Sequence, residues 1–431
     1  MARATTLVAL GALLVLAGIA AAWPSILSEQ VAAAAIFLGS YVALAMGKIP
    51  GLAIDRAGVA LVGAGLMVAA GVLPLKDAYR AIDLDTITLL LGMMIVVANL
   101  RLSGFFALAN AWVVVRVRRP VTLLAAVIAV SAVFSAFLVN DAICLVLAPL
   151  VADVAKGARR DPVPYLLGVA LASNVGSVAT ITGNPQNMMI GSLSGIPYTQ
   201  FAAALTPIAL AGALLTFALL VVLYPAEFLT GGRLAARHAE ARINRVLVGR
   251  SLLATVAVVI LFFAGQPPAK AAIVVGGQLL LTRRIRSTRV YAEIDWSLLL
   301  MFSGLFIIVA GAEHALLTGD VRAAAGGLHL TRPWVLSLLT AVLANLVSNV
   351  PAVLMLQPFV AGLPDPTKAW LTVAMASTLA GNFTMLGSIA NLIVIEKASR
   401  RGVAIGGWAY ARVGIPLTVL TLAFGTWWLV Q

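Results

Sequence analysis

The chain has 431 residues, of which 62% are hydrophobic and only 10% are charged, and its mean hydropathy is +1.04. This composition excludes an ordinary soluble domain, and apolar segments recur along the whole chain, so we expect an all-α polytopic membrane protein rather than a β-barrel. The formal net charge of +13 is spread over short loops between these segments, so it favours a membrane-orientation signal over nucleic-acid binding.

About eleven segments are long and apolar enough to cross the membrane. The first, 6–23, is expected to be retained as an extra N-terminal transmembrane helix within residues 1–28, although the small residues at its end also fit a signal-peptide cleavage site. The other crossings are predicted at 29–47, 57–74, 86–103, 166–192, 202–224, 250–265, 268–282, 296–312, 370–395 and 405–429. With a cytoplasmic N-terminus, most of the 29 basic residues lie in cytoplasmic loops, so we predict that orientation in the cell inner membrane.

Two further apolar stretches, 121–155 and 333–364, are too long for one comfortable crossing and have polar centres. The first contains Asn140 and Asp141, and the second contains Ser348 and Asn349. Polar groups at mid-membrane depth cost several kcal/mol unless they have a partner or a function. We therefore predict two re-entrant hairpins, the first opening from the cytoplasm and the second from outside.

The hairpins belong to a predicted internal duplication. Three patterns recur 204 to 212 residues later in the chain: Ile82-Asp83 with Gly92 as Ile294-Asp295 with Gly304, Asn140 with Pro149 as Asn349 with Pro358, and Ser173 through Asn187 as Ser377 through Asn391. We predict repeat 1 at 29–224, a basic cytoplasmic linker at 225–249 and repeat 2 at 250–431. An odd number of crossings per repeat gives the halves opposite orientation, as in inverted-repeat transporters. Chance similarity among apolar helices is the alternative interpretation.

Each hairpin is followed by a helix whose centre is interrupted, at 166–192 and at 370–395. Pro185 and Gly183 disfavour helix in the first, and Gly387 does so in the second. A broken membrane helix frees carbonyls that can hold a cation and amides that can hold an anion, although a proline kink repaired by neighbouring helices has the same signature. The predicted substrate or ion site comprises Asn140, Asp141, Ser173, Asn174, Ser177, Thr180, Gly183, Asn184, Asn187, Ser348, Asn349, Asn382, Thr384, Gly387, Ser388 and Asn391.

Asp141 is the acidic residue that lies deepest within an apolar stretch. Desolvation disfavours an ionised carboxylate, so we predict that Asp141 is a proton carrier, with H⁺ as the coupling ion and no cofactor or metal. Two alternatives stay open. Asp141 could instead ligate Na⁺, at a site with Asn140 and Gly183 or at one built from Asn349 and Gly387, or it could act only as the N-cap of the second half-helix.

At these residues the chain resembles the ion transporter superfamily, in its arsenite permease, silicon-efflux and anion permease branch, which is related to citrate carriers and divalent-anion/sodium symporters. The resemblance covers nearly the whole chain and rests on Asn140-Asp141-Ala142 with Leu145 to Pro149, Ser348 to Leu354, Gly183 to Asn187, and Gly387 to Asn391. It implies an elevator-like scaffold and transport domain, often as a homodimer. Divalent-anion symporters have Ser-Asn-Thr at both hairpin tips, and here both threonines are replaced, by Asp141 and Val350, which argues against a dicarboxylate.

The expected function is that of a secondary active transporter, arsenite-permease-like, which exports a small inorganic oxyacid or anion (arsenite, antimonite or silicic acid) by exchange with H⁺. The alternatives are a Na⁺- or H⁺-coupled symporter of citrate or another organic anion and, less favoured, a passive channel. No His-Glu metal pair or Ser/Lys dyad suggests an enzyme. Besides the substrate and the lipid bilayer we expect no nucleic-acid partner, and any ATP dependence would require a separate ATPase subunit, since the chain has no phosphate-binding loop.

Overall fold

The computed structural model describes residues 28–46, 53–109, 119–229, 244–282, 284–316 and 327–431. Over these residues the chain is helical, with no β-strand, which confirms the all-α fold class. The predicted N-terminal crossing at 6–23, most of the predicted linker at 225–249 and several basic loop residues behind the predicted orientation lie outside the described residues.

The helices follow one another along the chain with short connections. They are α1 Glu29–Met46, α2 Arg56–Ala69, α3 Leu75–Ala81, α4 Leu84–Ser103, α5 Pro120–Phe137, α6 Asn140–Gly157, α7 Pro162–Ser177, a 3₁₀ turn Ile181–Gly183, α8 Pro185–Ser194, α9 Tyr198–Leu223, α10 Pro225–Phe228, α11 Arg245–Phe263, α12 Pro268–Leu280, α13 Ser287–Tyr291, α14 Trp296–Leu316, α15 Pro333–Val347, α16 Asn349–Val360, α17 Pro366–Ala380, α18 Ile389–Ser399 and α19 Gly407–Val430.

Seven of the described helices are long and apolar enough to cross a membrane: α1, α4, α5, α9, α11, α14 and α19. The predicted crossings within the described residues all coincide with helices, and the two predicted broken crossings each form two helices with a non-helical segment between them. The predicted crossing at 57–74 is too long, because α2 ends at Ala69 and Gly71 follows with a φ of 74°. That left-handed conformation suits glycine and stops the helix.

Both predicted hairpins are helix pairs that break at the polar centre. Helices α5 and α6 are joined by Leu138 and Val139 in non-helical backbone, and α15 and α16 are joined by Ser348 alone. Helix α5 has 18 residues and by length alone could cross a membrane, whereas α15 and α16 have 15 and 12 residues. The depth to which either pair enters the bilayer stays a prediction.

The chain divides into two compact units, each drawn from both predicted repeats. Unit 1 comprises the described parts of Met1–Ile87 and Asp295–Ala369. Within it, α14 packs along α2, since Gly304 has no Cβ and an added one would lie 2.6 Å from the backbone carbon of Ala60. The second hairpin also belongs to this unit, where the Tyr41 hydroxyl of α1 donates to the Pro351 carbonyl at 3.2 Å.

Unit 2 comprises the described parts of Thr88–Ile294 and Trp370–Gln431, and it contains the first hairpin and both broken helices. Helix α5 packs along α7 where Gly176 leaves room for the Ala132 carbonyl, which a Cβ would approach to 2.2 Å. Helix α6 packs against α7 and α18, and Arg401 donates to both carboxylate oxygens of Asp153, at 2.8 and 3.2 Å. The hairpin and the broken helices are therefore parts of one core.

Packing contacts follow the sequence repeat reciprocally. In unit 2, Gly92 of α4 lies against α12, so that a Cβ would be 2.5 Å from the Ala272 backbone carbon. In unit 1, Gly304 makes the corresponding contact with Ala60. Gly304 lies 212 positions after Gly92, and Ala272 lies 212 positions after Ala60. Each repeat thus contributes one glycine and receives one, as a two-fold relation between the halves requires.

Candidate functional site

The first hairpin places Asn140 at the start of α6, deep inside unit 2. Its side chain is 4% exposed, and its Nδ2 atom donates to Asn174 Oδ1 at 3.0 Å. The Oδ1 atom of Asn140 is buried and has no hydrogen-bond partner among the described residues. A buried carbonyl oxygen without a partner costs about 1–3 kcal/mol, so this atom marks a position where a donor or a cation is wanted.

Asn174 of α7 is the centre of a buried polar cluster. Its Nδ2 atom donates to Asn382 Oδ1 at 2.8 Å and to Asn391 Oδ1 at 3.1 Å. Its Oδ1 atom accepts from Asn140 and, at 3.0 Å, from the Ser388 hydroxyl. All five side chains are at most 6% exposed. The hydrogen-bonding capacity of Asn174 is therefore used to join the first hairpin to both breaks of repeat 2.

The two broken helices are held open in the same way. Asn187 Nδ2 donates to the Ser177 and Thr180 carbonyls, both at 3.1 Å. In repeat 2, Asn391 Nδ2 donates to the Gly381 carbonyl at 2.7 Å and to the Thr384 carbonyl at 3.3 Å. The second set lies 204 positions after the first. These amides replace helical donors, so the carbonyls that we expected to be freed already have one partner each.

The caps of the second half-helices also correspond. Asn184, in extended backbone, accepts from the Asn187 backbone N–H at 2.8 Å, and Pro185 takes the first position of α8, where its missing donor costs nothing. Ser388 caps α18 by accepting from the Ala390 N–H at 3.2 Å. Pro185 therefore starts a helix rather than kinking one, which corrects the interpretation as a simple proline kink.

A second link between the repeats was missed by the sequence reading. The Thr378 hydroxyl lies 3.5 Å from Asn187 Oδ1 and accepts from Asn184 Nδ2 at 3.1 Å and from Gln186 Nε2 at 3.2 Å. Thr378 lies 204 positions after Asn174, so the contact between Thr378 and Asn187 mirrors that between Asn174 and Asn391. The repeat register itself was the signal that could have found Thr378.

The other predicted residues of unit 2 have mainly local roles. Ser173 lies 2.9 Å from the buried Cys144 thiol, and Ser177 accepts from Asn184 Nδ2 at 3.0 Å. Gly183 is needed for close packing, since a Cβ there would lie 2.1 Å from the Ser177 carbonyl oxygen. The Thr180 hydroxyl bonds to the carbonyl of Ala136 in the first hairpin, and the buried Gly387 donates its N–H to the Thr384 carbonyl at 3.1 Å.

The break of repeat 2 is the more accessible one. Every residue from 177 to 187 is buried, whereas in repeat 2 Thr384 is exposed and Phe383 and Leu386 are 38% and 76% exposed. The Asn174 cluster therefore lies close to the surface on the side of the repeat 2 break. The described residues include no group of three or more His, Cys, Asp or Glu side chains that could hold a metal ion.

Asp141 is the second residue of α6 and is half-buried. The N-cap of this helix is Val139, whose side chain makes no capping bond, so the interpretation of Asp141 as the N-cap is wrong. Its carboxyl group lies instead in the first turn, where the helix dipole favours negative charge.

Ser348 and Asn349 belong to unit 1 and not to the unit that contains the cluster. Asn349 is the first residue of α16, as Asn140 is of α6, and its Oδ1 atom is likewise buried without a hydrogen-bond partner among the described residues. Ser348 has a φ of 79° and a ψ of 158°, a region that only glycine adopts easily. Strain of this kind persists only where the surroundings hold it, and it concentrates at functional sites.

These features match a family of known transporters. A model of the citrate transporter family, CitMHS, matches residues 41–380. The chain belongs to the CitMHS family. As a CitMHS protein it is a multi-pass membrane transporter, and the motifs at its hairpins and breaks are those by which we placed it in the ion transporter superfamily.

Individual relatives extend this result. The silicon efflux transporter LSI3 of Oryza sativa subsp. japonica is 28% identical over 450 residues, which cover 88% of this CitMHS chain and 93% of the relative. The inner membrane protein YbiR of Escherichia coli is 30% identical over 378 residues, covering 85% and 92%. The crystal structure of the Alcanivorax borkumensis YdaH transporter, described as having an unusual topology, aligns over 94% and 97% of the two chains with a TM-score of 0.54. At 16% identity, that likeness concerns the fold alone.

Proposed function

We propose that this protein is a secondary active transporter that exports a small inorganic oxyacid, such as arsenite, antimonite or silicic acid, in exchange for H⁺. A rice relative named for silicon efflux supports the substrate class. A relative named as an inner membrane protein supports placement in the inner membrane, for which we propose a cytoplasmic N-terminus.

The observation that carries the proposal is the unpaired Oδ1 atom of Asn140. The Nδ2 atom of this amide is committed to Asn174, whose own groups are all engaged, so the ligand must supply a donor. Neutral oxyacids present O–H donors on every side, whereas ionised carboxylates only accept hydrogen bonds. A cluster of neutral amides and hydroxyls therefore suits arsenite or silicic acid better than citrate.

Asp141 gives this site a proton-dependent element. When protonated, its carboxyl group is neutral and offers a donor, and when ionised it only accepts. An oxyacid bound at Asn140 would meet an acceptor on ionised Asp141 and a competing donor on protonated Asp141. Proton entry from outside would then release the oxyacid, and proton loss to the cytoplasm would allow the next one to bind.

A second candidate is a Na⁺-coupled symporter of citrate or another organic anion. The description of the family supports it, and so does the chemistry of Asn140 Oδ1, since an unpaired amide oxygen is also a good ligand for a hard cation. In that case Na⁺ would take the place that we assign to an oxyacid hydroxyl.

Counterflow in proteoliposomes separates these candidates. Liposomes loaded with unlabelled silicic acid, arsenite or citrate are diluted into a trace of the labelled compound, with and without Na⁺. We expect trans-stimulated uptake of the oxyacids, independent of Na⁺, and none of citrate. Sodium-dependent citrate counterflow would establish the second candidate instead, and oxyacid flux without trans-stimulation would indicate a channel.

A further inference from the structure

The ends of α9 and α19 bring a basic and an aromatic side chain together away from the asparagine cluster. The two helices run antiparallel, since Trp428 Nε1 near the end of α19 donates to the Ala204 carbonyl near the start of α9 at 3.0 Å. Tyr224, directly after α9, therefore lies beside Arg412 in the second turn of α19. The Arg412 guanidinium is 4.1 Å from the centroid of the Tyr224 ring.

Both side chains have unused hydrogen-bonding atoms. Arg412 Nε and the Tyr224 hydroxyl are buried and have no hydrogen-bond partner among the described residues, and Arg412 forms no ion pair within that part of the chain. Both residues are only half-buried as a whole, so a ligand can reach them. A guanidinium stacked on an aromatic ring keeps its N–H edge free for planar recognition of an oxyanion.

The acidic residue on the same segment does not neutralise Arg412. Glu227 accepts from the Tyr165 hydroxyl at 2.9 Å and lies 3.9 Å from Arg160 Nε. Its carboxylate is thus engaged on the side of α7. The missing counter-ion of Arg412 is expected to come from outside the described chain, because an arginine half-buried at a membrane protein surface gains most from a paired anion.

The tryptophans of α19 indicate which anion is available. Trp408 is 79% exposed at one end of the helix and Trp427 is 56% exposed at the other. They lie about 28 Å apart along the axis at 1.5 Å per residue, close to the thickness of the hydrocarbon core. Exposed tryptophans mark the two membrane interfaces. Arg412 lies about one turn, roughly 6 Å, inside Trp408, within reach of the lipid phosphates.

We propose that Arg412 and Tyr224 form a binding site for a phosphate group, in which Arg412 Nε–H and the Tyr224 hydroxyl both donate to phosphate oxygens. The position of Trp408 favours the phosphate of an anionic lipid headgroup, and free inorganic phosphate shares the same chemistry. The site is separate from the residues of the proposed transport function and does not depend on that function being correct.

Native mass spectrometry of the full-length chain in detergent tests this site. Binding of dioleoyl phosphatidylglycerol is compared with that of dioleoylglycerol, which has the same chains and no phosphate, and in a separate arm with that of inorganic phosphate. We expect phosphatidylglycerol to bind and dioleoylglycerol not to bind. We expect Arg412→Gln to weaken lipid binding about tenfold, as the loss of a charge-assisted hydrogen bond should.

Two further variants keep the test decisive. Tyr224→Phe retains the stacked ring and removes only the hydroxyl, so it should fold normally and still bind phosphatidylglycerol several-fold more weakly. Arg289→Gln, which removes an exposed arginine elsewhere in unit 2, should bind as the unsubstituted chain does. A response to inorganic phosphate alone, lost in Arg412→Gln, would support the site with a soluble ligand. Equal binding of both lipids with no phosphate response, or unchanged binding in Arg412→Gln and Tyr224→Phe, would overturn it.

Discussion

At the scale of single residues, the polar groups divide into those that hold the structure and those that leave a hydrogen-bonding position open. Asn187 and Asn391 use their amides to satisfy the carbonyls of the breaks, and Asn184 and Ser388 cap helices. Asn140 and Asn349 each keep a buried oxygen without a partner in the described chain. Sequence reasoning placed all six in one group because it sees residue types and not which atom of an amide is already in use.

Asn174 is the residue on which the cluster depends most. We predict that Asn174→Ala lowers the free energy of unfolding of unit 2 by at least about 3 kcal/mol, because it removes the partner of several buried polar groups at once. Asn99→Ala is the matched control: Asn99 is also a buried amide, but its Nδ2 bonds only to the Ile95 carbonyl of its own helix, at 2.8 Å. Thermal unfolding in detergent measures both, and equal shifts would contradict a central role for Asn174.

The strained backbone of Ser348 gives a second residue-scale prediction. Ser348→Gly should stabilise the protein by about 1 kcal/mol, because glycine adopts this φ and ψ without strain. Ser337→Gly, in the interior of α15 of the same hairpin, should destabilise by a similar amount through lost helix propensity. Opposite shifts in melting temperature are expected, and a loss of stability in both variants would show that Ser348 is not strained.

At the scale of elements, helix positions were predictable and helix contacts were not. Apolar length located each described crossing, and the polar centres located both hairpin breaks, because membrane burial penalises unpaired polar groups strongly. The end of α2 at Ala69 was missed, since Gly71 was read as one more small apolar residue. Thr378 was missed because its role arises only when two breaks from different repeats meet.

Close helix packing at glycine supplies an element-scale prediction. Gly92→Ala should destabilise the contact between α4 and α12, because its Cβ would lie 2.5 Å from backbone that cannot move without separating the helices. Gly277→Ala, on α12 with nothing within 4 Å, should be neutral or stabilising by up to about 1 kcal/mol. Melting temperatures of the two variants check this, and a tolerated Gly92→Ala would mean that the helices lie farther apart.

At the scale of the whole molecule, duplication explains why a site of this kind is built twice. The reciprocal contacts of Gly92 and Gly304, and of Asn174 and Thr378, relate the halves of the chain as the spacing of the sequence motifs predicted. Membership of the CitMHS family makes the chain a membrane transporter. The choice of an oxyacid over an organic anion rests on smaller features, chiefly the hydrogen-bonding state of Asn140 and the acid that follows it.

Proton movement driven by the oxyacid tests the proposed exchange most directly. Proteoliposomes containing a pH-sensitive dye are loaded with silicic acid or arsenite at neutral pH, where both are uncharged, and diluted into substrate-free buffer. We predict that the lumen acidifies as the oxyacid leaves, in the unsubstituted protein and in Glu396→Gln, which removes an exposed carboxylate of α18. Asp141→Asn should abolish this acidification while leaving the helical content and melting temperature unchanged. Full acidification in Asp141→Asn, or oxyacid efflux from the unsubstituted protein with no change in lumenal pH, would contradict the account.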